Sequence, residues 1–140
     1  MGLQLEGQCM CGAVTVSAVA PAPVLRACHC EMCRQQTTFA FVNIAVDQAS
    51  IEVTGPAKVF RSSEWAQRGF CGVCGSTLWY GLQADGSRNL AAGLFPALKG
   101  AAMAQEFFVD QCLLGDGFAG DHSKLTRNET FALFAPAEGE

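Results

Sequence analysis

The chain has 140 residues, of which 50% are hydrophobic and 16% charged, and its formal net charge is −4. This length and composition fit one folded domain and exclude a disordered chain. A net negative charge is unfavourable for binding nucleic acid, so we expect no nucleic-acid partner. The first residues do not resemble a signal peptide, and the longest apolar segment, residues 39–46, is too short to cross a bilayer. We therefore expect a cytoplasmic protein with no membrane partner.

Short alternating segments separated by turn residues predict a mainly β fold. The predicted strands are residues 13–17, 39–46, 50–54, 58–61, 76–80, 89–94 and 106–109, with a loop at 20–23 and turns at 55–56 and 84–87. Residues 34–38 are predicted as a short helical turn or loop, residues 99–105 as a loop or helical turn, and residues 125–134 as a helix or a docking segment. We predict a single zinc domain over residues 1–135 and a frayed tail over residues 136–140.

Eight cysteines are unusual for a chain of this length. In a secreted protein they would suggest disulfides, but the cytoplasm keeps thiols reduced. Clustered cysteines in that compartment more often bind metal than form a disulfide framework. We therefore interpret the cysteines as ligands of metal ions.

A first set of four thiolates consists of the pairs Cys9-x-Cys11 and Cys71-x-x-Cys74. Glycines follow both pairs, and a glycine can adopt the left-handed backbone that lets amide N–H groups point at thiolate sulfurs. If a sheet brings the pairs together, four thiolates form a closed structural zinc site. The alternative is two unrelated buried cysteine pairs.

A second set, Cys28, Cys30 and Cys33, has the spacing C-x-C-x-x-C. Three thiolates so close together repel one another strongly unless a cation binds them. Structural zinc takes four protein ligands, whereas catalytic zinc often takes three and leaves the fourth position to water or substrate. A thiophilic ion there can bind a small thiol and lower its pKa, which prepares the sulfur to attack an aldehyde carbon.

Three other residues are candidates to close this second site as a fourth ligand: Cys112, His29 and His122. His29 lies between two predicted ligands, where an extended backbone would turn its side chain away from the metal. A site without stable metal is a further alternative. Iron also accepts four thiolates, so the residue types do not decide between zinc and iron.

Two arginines lie beside the clusters. Arg34 follows Cys33 directly, and Arg68 precedes Cys71 by three residues. Either guanidinium can offset the negative charge of a thiolate site or bind the carboxylates of a substrate. The alternative is a surface cation without a specific contact.

Three segments together resemble the glutathione-dependent formaldehyde-activating enzyme family, which a vertebrate centromere protein also resembles. The segments are GQCMCGAV at 7–14, CHCEMCR at 28–34, and FRSS at 60–63 followed by RGFCGVCGS at 68–76. Their order and spacing agree over roughly residues 1–110. The resemblance implies an Mss4-like (β-tent) fold, in which small antiparallel sheets meet at a structural zinc.

The resemblance also implies roles for the cysteines. Cys9, Cys11, Cys71 and Cys74 match the structural zinc ligands of the family, and Cys28, Cys30 and Cys33 match its catalytic zinc ligands. It implies two zinc ions per chain, the second in part occupied, with glutathione or a similar thiol and formaldehyde or another small aldehyde as substrates. The implied activity is that of a carbon–sulfur lyase. The rival hypotheses are a non-catalytic zinc-stabilised binding module and a disulfide-redox protein.

The chain departs from the family pattern at two places. After residues 90–93, Leu94-Phe95-Pro96 replaces a small residue, Leu and Asp, and Glu106 stands where a His is common before the last strand. The part from Gln111 onward matches the family poorly. These differences imply a reshaped pocket.

Overall fold

A computed structural model describes residues 2–134 of the chain and is mainly β, which confirms the predicted fold class. Its strands are β1 Leu3–Gln8, β2 Thr15–Ala20, β3 Val24–Cys28, β4 Phe41–Ile44, β5 Glu52–Thr54, β6 Ala57–Arg61, β7 Ala66–Cys71, β8 Thr77–Leu82, β9 Arg88–Ala91, β10 Ala102–Phe107 and β11 Ser123–Lys124. The helices are α1 Glu31–Thr37 and α2 Arg127–Phe134, and short 3₁₀ turns connect several strands. Within residues 2–134, no helix is long and apolar enough to span a membrane.

The described residues group into two compact units. Among the described residues, the first unit comprises residues 2–24 and Asn43–Ala102, and the second comprises Leu25–Val42 and residues 103–134. The predicted single domain over residues 1–135 stays a prediction. The predicted tail, residues 136–140, lies outside the described residues.

Antiparallel strands form two sheets in the first unit. One sheet has the order β1-β2-β5, and the other places β9, β8, β7 and β6 side by side. Along β2, Val16, Ala18 and Ala20 are buried and alternate with more exposed residues. A strand with one face in the core shows this period of two, and the sequence prediction of this strand relied on it.

In the second unit, β10 lies between β3 and β11 and pairs with β11 in parallel. The amide of His29, the residue after β3, donates to the Phe107 carbonyl at 3.0 Å. Helix α2 packs its Phe134 and Phe131 rings against Phe107 and Phe108, with ring centroids 5.2 and 5.3 Å apart. Residues 125–134 thus contain a helix, and this helix also packs against Phe107 and Phe108. The structure therefore combines the two predicted alternatives, a helix and a docking segment.

Several element boundaries differ from the sequence prediction. Residues 102–105, predicted as a loop or helical turn, belong to β10, because hydrogen bonds to neighbouring strands override the weak local preference of an Ala-rich segment. Helix α1 begins at Glu31, inside the three-cysteine segment, because Cys30 caps it. The prediction also missed β1, β3 and β7, of which β7 contains a glycine that weakens a strand pattern.

Gly7 in β1 provides a test of this packing. A Cβ atom at Gly7 would come within 2.0 Å of the Leu94 backbone carbonyl oxygen, so no side-chain rotation relieves the clash. We expect Gly7→Ala to lower the free energy of unfolding by about 1–3 kcal/mol, the usual cost of overpacking. Urea unfolding measures the change. Gly93→Ala is the control, since a Cβ there meets open space; equal unfolding midpoints for the two variants would contradict the packing described here.

Candidate metal centres

Four cysteine sulfurs come together in the first unit, as the sequence predicts. The Sγ atoms of Cys9, Cys11, Cys71 and Cys74 all lie within 4.8 Å of one another. Both cysteine pairs turn through a glycine with left-handed φ: +83° at Gly12 and +82° at Gly75. The alternative of two unrelated cysteine pairs is wrong, because the sheets bring both pairs to one place.

Backbone amides surround these sulfurs. The amide of Val14 donates to Cys9 Sγ at 3.3 Å, and the amides of Val73 and Cys74 donate to Cys71 Sγ at 3.3 and 3.4 Å. Such N–H···S bonds favour the thiolate form of cysteine, the form that binds metal. The local turns therefore prepare the sulfurs for a cation.

Ser76 acts directly on one of the four sulfurs. Its hydroxyl oxygen accepts from the Met10 amide at 3.0 Å and lies 3.1 Å from Cys74 Sγ, so its hydrogen is available to that sulfur. The hydrogen bonds from Ser76 lower the pKa of the Cys74 thiol to about 5.

The pKa of the Cys11 thiol shifts in the opposite direction. The Ala13 amide favours its thiolate, but burial and the neighbouring cysteine sulfurs outweigh that hydrogen bond and raise the pKa of Cys11 to about 11. The four thiols therefore cannot all ionise near neutral pH unless a cation compensates their charge. A set of four sulfur donors of this kind fits zinc.

The three-cysteine cluster lies in the second unit. Cys28 ends β3, Cys30 caps α1, and Cys33 lies in the first turn of that helix. Their sulfur atoms all lie within 4.8 Å of one another. The Cys33 amide donates to Cys30 Sγ at 3.5 Å. The sulfurs of Cys30 and Cys33 and the burial of the site raise the pKa of Cys28, which indicates that these thiols also need a cation to ionise together.

None of the three candidate fourth ligands belongs to this group of sulfurs. Among residues 2–134, no further Cys, His, Asp or Glu ligand atom lies within 4.8 Å of all three sulfurs. Cys112 is buried, and its sulfur accepts from the Leu114 amide at 3.4 Å. The Nε2 atoms of both His29 and His122 contact the carboxylate of Glu106. Among residues 2–134, the group therefore consists of three Cys ligand atoms, without a fourth from Cys, His, Asp or Glu.

Glu106 is the centre of a buried polar network that the sequence analysis did not anticipate. Both Glu106 and His29 are fully buried, and Glu106 Oε1 lies 2.6 Å from His29 Nε2. Glu106 Oε2 contacts His122 Nε2, and the Phe118 amide donates to both carboxylate oxygens. Burial raises the pKa of Glu106, but the hydrogen bonds from His122, His29 and Phe118 outweigh it and hold the pKa below its usual value. The departure from the family pattern at residue 106 was the only sequence signal.

The two arginines have different surroundings. Arg34, in α1, donates through Nη1 to the Gln111 carbonyl at 3.1 Å, within the unit that holds the three-cysteine cluster. Arg68, in β7, is 5% exposed, and its guanidinium carbon lies 5.0 Å from the centre of the Tyr80 ring, within the unit that holds the four-cysteine cluster. Their roles in substrate binding stay predictions.

Comparison with known proteins identifies the family. The sequence profile of the glutathione-dependent formaldehyde-activating enzyme family matches residues 4–111. The chain therefore belongs to this family, which confirms the resemblance of its motifs.

Two curated relatives are similar over part of their length. A Schizosaccharomyces pombe protein named as an uncharacterized lyase is 35% identical over 78 residues, which cover 55% of this chain and 57% of that protein. A Halomonas elongata protein named for glutathione-dependent formaldehyde activation is 32% identical over 85 residues, 54% of each chain. The chain spans about half the length of these curated relatives.

A solved structure supports the fold. The crystal structure of a Rhodobacter sphaeroides protein matches with a TM-score of 0.57 and 17% identity, and the match covers 70% of this chain and 97% of that chain. At this identity the likeness shows the fold alone.

The Ser76 hydroxyl provides a test of the four-cysteine centre. We expect Ser76→Ala to raise the pKa of Cys74 from about 5 towards its ordinary value, because the O–H···S bond is lost. Protons then compete for the sulfur at higher pH, so metal should leave this centre at a higher pH than in the wild type. Metal release during acid titration, followed with a colorimetric chelator, measures the shift. The exposed Ser123 gives the control variant Ser123→Ala, and an identical release profile for both variants would show that Ser76 has no such effect.

Proposed function

We propose that this protein is a zinc-dependent enzyme of the carbon–sulfur lyase type, which adds glutathione or a similar thiol to formaldehyde or another small aldehyde. The observation that carries the proposal is the cluster of three sulfurs within 4.8 Å, which no fourth Cys, His, Asp or Glu ligand atom of residues 2–134 joins in the same range. Membership of the glutathione-dependent formaldehyde-activating family supports the choice of substrates.

The residues present fit two zinc ions with different tasks. Cys9, Cys11, Cys71 and Cys74 would hold a closed structural ion, because four sulfurs complete a tetrahedron. A second set of ligands, Cys28, Cys30 and Cys33, would hold the other ion. When bound there, zinc supplies a thiophilic Lewis-acid position with room for one exogenous ligand.

Residues around this second site leave the sulfurs partly exposed and can orient a bound thiol substrate. Cys33 is 2% exposed, whereas Cys28 and Cys30 are only half-buried, so solvent and small molecules can reach the cluster. Arg34 follows Cys33, and the Gln111 carbonyl occupies one of its five N–H donors. We propose that its other donors bind a carboxylate of the thiol substrate. Arg68 stays a second candidate for this role.

The proposed reaction balances without an oxidant or a reductant. The sulfur of the thiol forms a bond to the aldehyde carbon, and the carbon–oxygen π bond breaks. The thiol proton ends on the former aldehyde oxygen, which gives an S-hydroxyalkyl product. The reverse reaction cleaves the same carbon–sulfur bond, as expected of a lyase.

Metal content and activity of cysteine variants test the proposal. We expect two zinc ions per chain in the wild type and one in Cys30→Ser. Activity with glutathione and formaldehyde should fall by at least about 100-fold in Cys30→Ser, because loss of even an outer-shell partner of a metal site commonly costs 10–100-fold. Metal analysis and the rate of hydroxymethyl thioether formation measure these effects.

Cys112→Ser is the matched control, since Cys112 is a buried cysteine of the same unit outside the three-sulfur group. It should keep both ions and the activity. Full activity in Cys30→Ser would overturn the proposal. Two tightly bound ions without thiol addition would instead favour the non-catalytic binding module.

A further inference from the structure

A fully buried carboxylate requires an explanation, because its removal from water costs several kcal/mol unless hydrogen bonds compensate it. Glu106 is 0% exposed, and three groups of the second unit contact its carboxylate. These groups are His29 Nε2 at 2.6 Å, the Phe118 amide at 3.0 and 3.1 Å, and His122 Nε2. Both carboxylate oxygens are therefore satisfied, whereas Nδ1 of the buried His29 ring has no hydrogen-bond partner among the described residues.

The hydrogen bond between Glu106 and His29 links the network to the three-cysteine cluster. This residue lies between Cys28 and Cys30, and its ring contacts Glu106 rather than the sulfurs. The ring centroid of His29 lies 5.6 Å from that of Phe39 and 5.5 Å from that of Phe118. With the His29 amide bonded to the Phe107 carbonyl, both the backbone and the side chain of this residue are fixed. The two flanking sulfurs therefore have little freedom to move apart.

The contacts of Glu106 with Phe118 and His122 link the network to the segment between Gln111 and His122. A Cβ atom at Gly117 would lie 2.7 Å from Glu106 Oε1, and Gly117 has a left-handed φ of +85°, so only glycine allows this close approach. Glu106 holds one end of the segment through Phe118 and His122. At the other end, the Gln111 carbonyl accepts from Arg34, a residue of the helix that carries Cys33.

We infer that Glu106 is a positioning residue, whose buried carboxylate holds the Cys28–Cys30 segment through His29 and the 111–122 segment through Phe118 and His122, and so keeps the three sulfurs at metal-binding distance. The inference rests on the proposed metal binding by Cys28, Cys30 and Cys33. Glu106 contacts none of the reacting atoms in this account. It acts through His29, which lies between Cys28 and Cys30, and so through the backbone rather than through a hydrogen bond to a sulfur.

A purely structural role predicts a different result. If Glu106 only stabilised the core, its loss would weaken the whole fold and speed metal release from both cysteine clusters. If Glu106 positions the three sulfurs, its loss should speed release from the three-cysteine cluster selectively. The four-cysteine cluster of the same chain is therefore an internal reference.

The test compares Glu106→Gln with the wild type. Gln keeps the size of the side chain but replaces one acceptor oxygen with a donor, so at least one imidazole must change tautomer or turn away. Both proteins are loaded with zinc, and release to a colorimetric chelator is followed over time. Variants Cys30→Ser and Cys74→Ser assign the two kinetic phases to the two clusters. Loading with Co²⁺ gives a second readout, because its visible spectrum reports the geometry of each sulfur site.

We expect Glu106→Gln to release metal from the three-cysteine cluster about 10–100-fold faster, the range typical of outer-shell partners, with the other phase unchanged. The control Glu64→Gln, at an exposed position, should behave like the wild type. An unchanged three-cysteine phase, or equal acceleration of both phases, would overturn the inference. If Glu106→Gln does not fold, His122→Asn, which removes one donor to Glu106, must accelerate the three-cysteine phase selectively, and its failure to do so would equally overturn the inference.

The same experiment separates this inference from the proposed function. A wild-type protein that binds two ions but adds no thiol to an aldehyde refutes the enzyme, while the release kinetics still decide the role of Glu106. A wild-type protein that binds metal only at the four-cysteine cluster refutes both.

Discussion

Mutual repulsion between clustered cysteine thiolates limits how many of these sulfurs can be charged together without a bound cation. The fold brings four sulfurs together in one unit and three in the other, each group within 4.8 Å. The raised pKa values of Cys11 and Cys28 show that the thiols resist joint ionisation at these distances. A bound cation removes this penalty, and in small domains metal binding contributes directly to folding free energy. The strands and turns therefore bring the sulfurs into two groups that could each hold a metal ion.

The two centres achieve their geometry by different means. In the four-cysteine cluster, local features position the sulfurs. These are glycines with left-handed φ at residues 12 and 75, backbone amides that donate to the sulfurs, and the hydroxyl of Ser76. The three-cysteine cluster relies on one strand end, one helix cap and a long-range network centred on Glu106. This difference is consistent with a closed site that stabilises the protein and an open site that must hold three ligands in place without a fourth.

The two groups of neighbouring cysteines were predictable from the sequence, because the cysteines come in closely spaced local sets. The spacings of Cys9 and Cys11, and of Cys71 and Cys74, identify each pair within four residues, and the family motifs extend the match to both clusters. The strands with a clean period of two, such as β2, were also predictable. The ends of β10 and α1 were not, since hydrogen bonds from neighbouring strands and the cap at Cys30 decide them.

Long-range contacts limited the prediction of the site itself. Glu106 lies 77 residues from its partner His29 in the sequence, and nothing in the local pattern of either residue indicates that they meet. The same holds for Arg34 and the Gln111 carbonyl, which are also 77 residues apart. Sequence reasoning placed His29 on the side away from the metal because the backbone is extended, but only the folded chain shows what that side chain contacts.

The central claim is that the chain holds one closed and one open metal centre. The most direct measurement is ¹¹³Cd NMR of the cadmium-loaded protein before and after addition of glutathione, because the shift of this nucleus depends on the number of bound sulfurs. We expect two signals: one in the range of four sulfur ligands that glutathione leaves in place, and one in the range of three that moves towards the first as the thiol binds. Two signals in the four-sulfur range, neither of which responds to glutathione, would contradict the central claim.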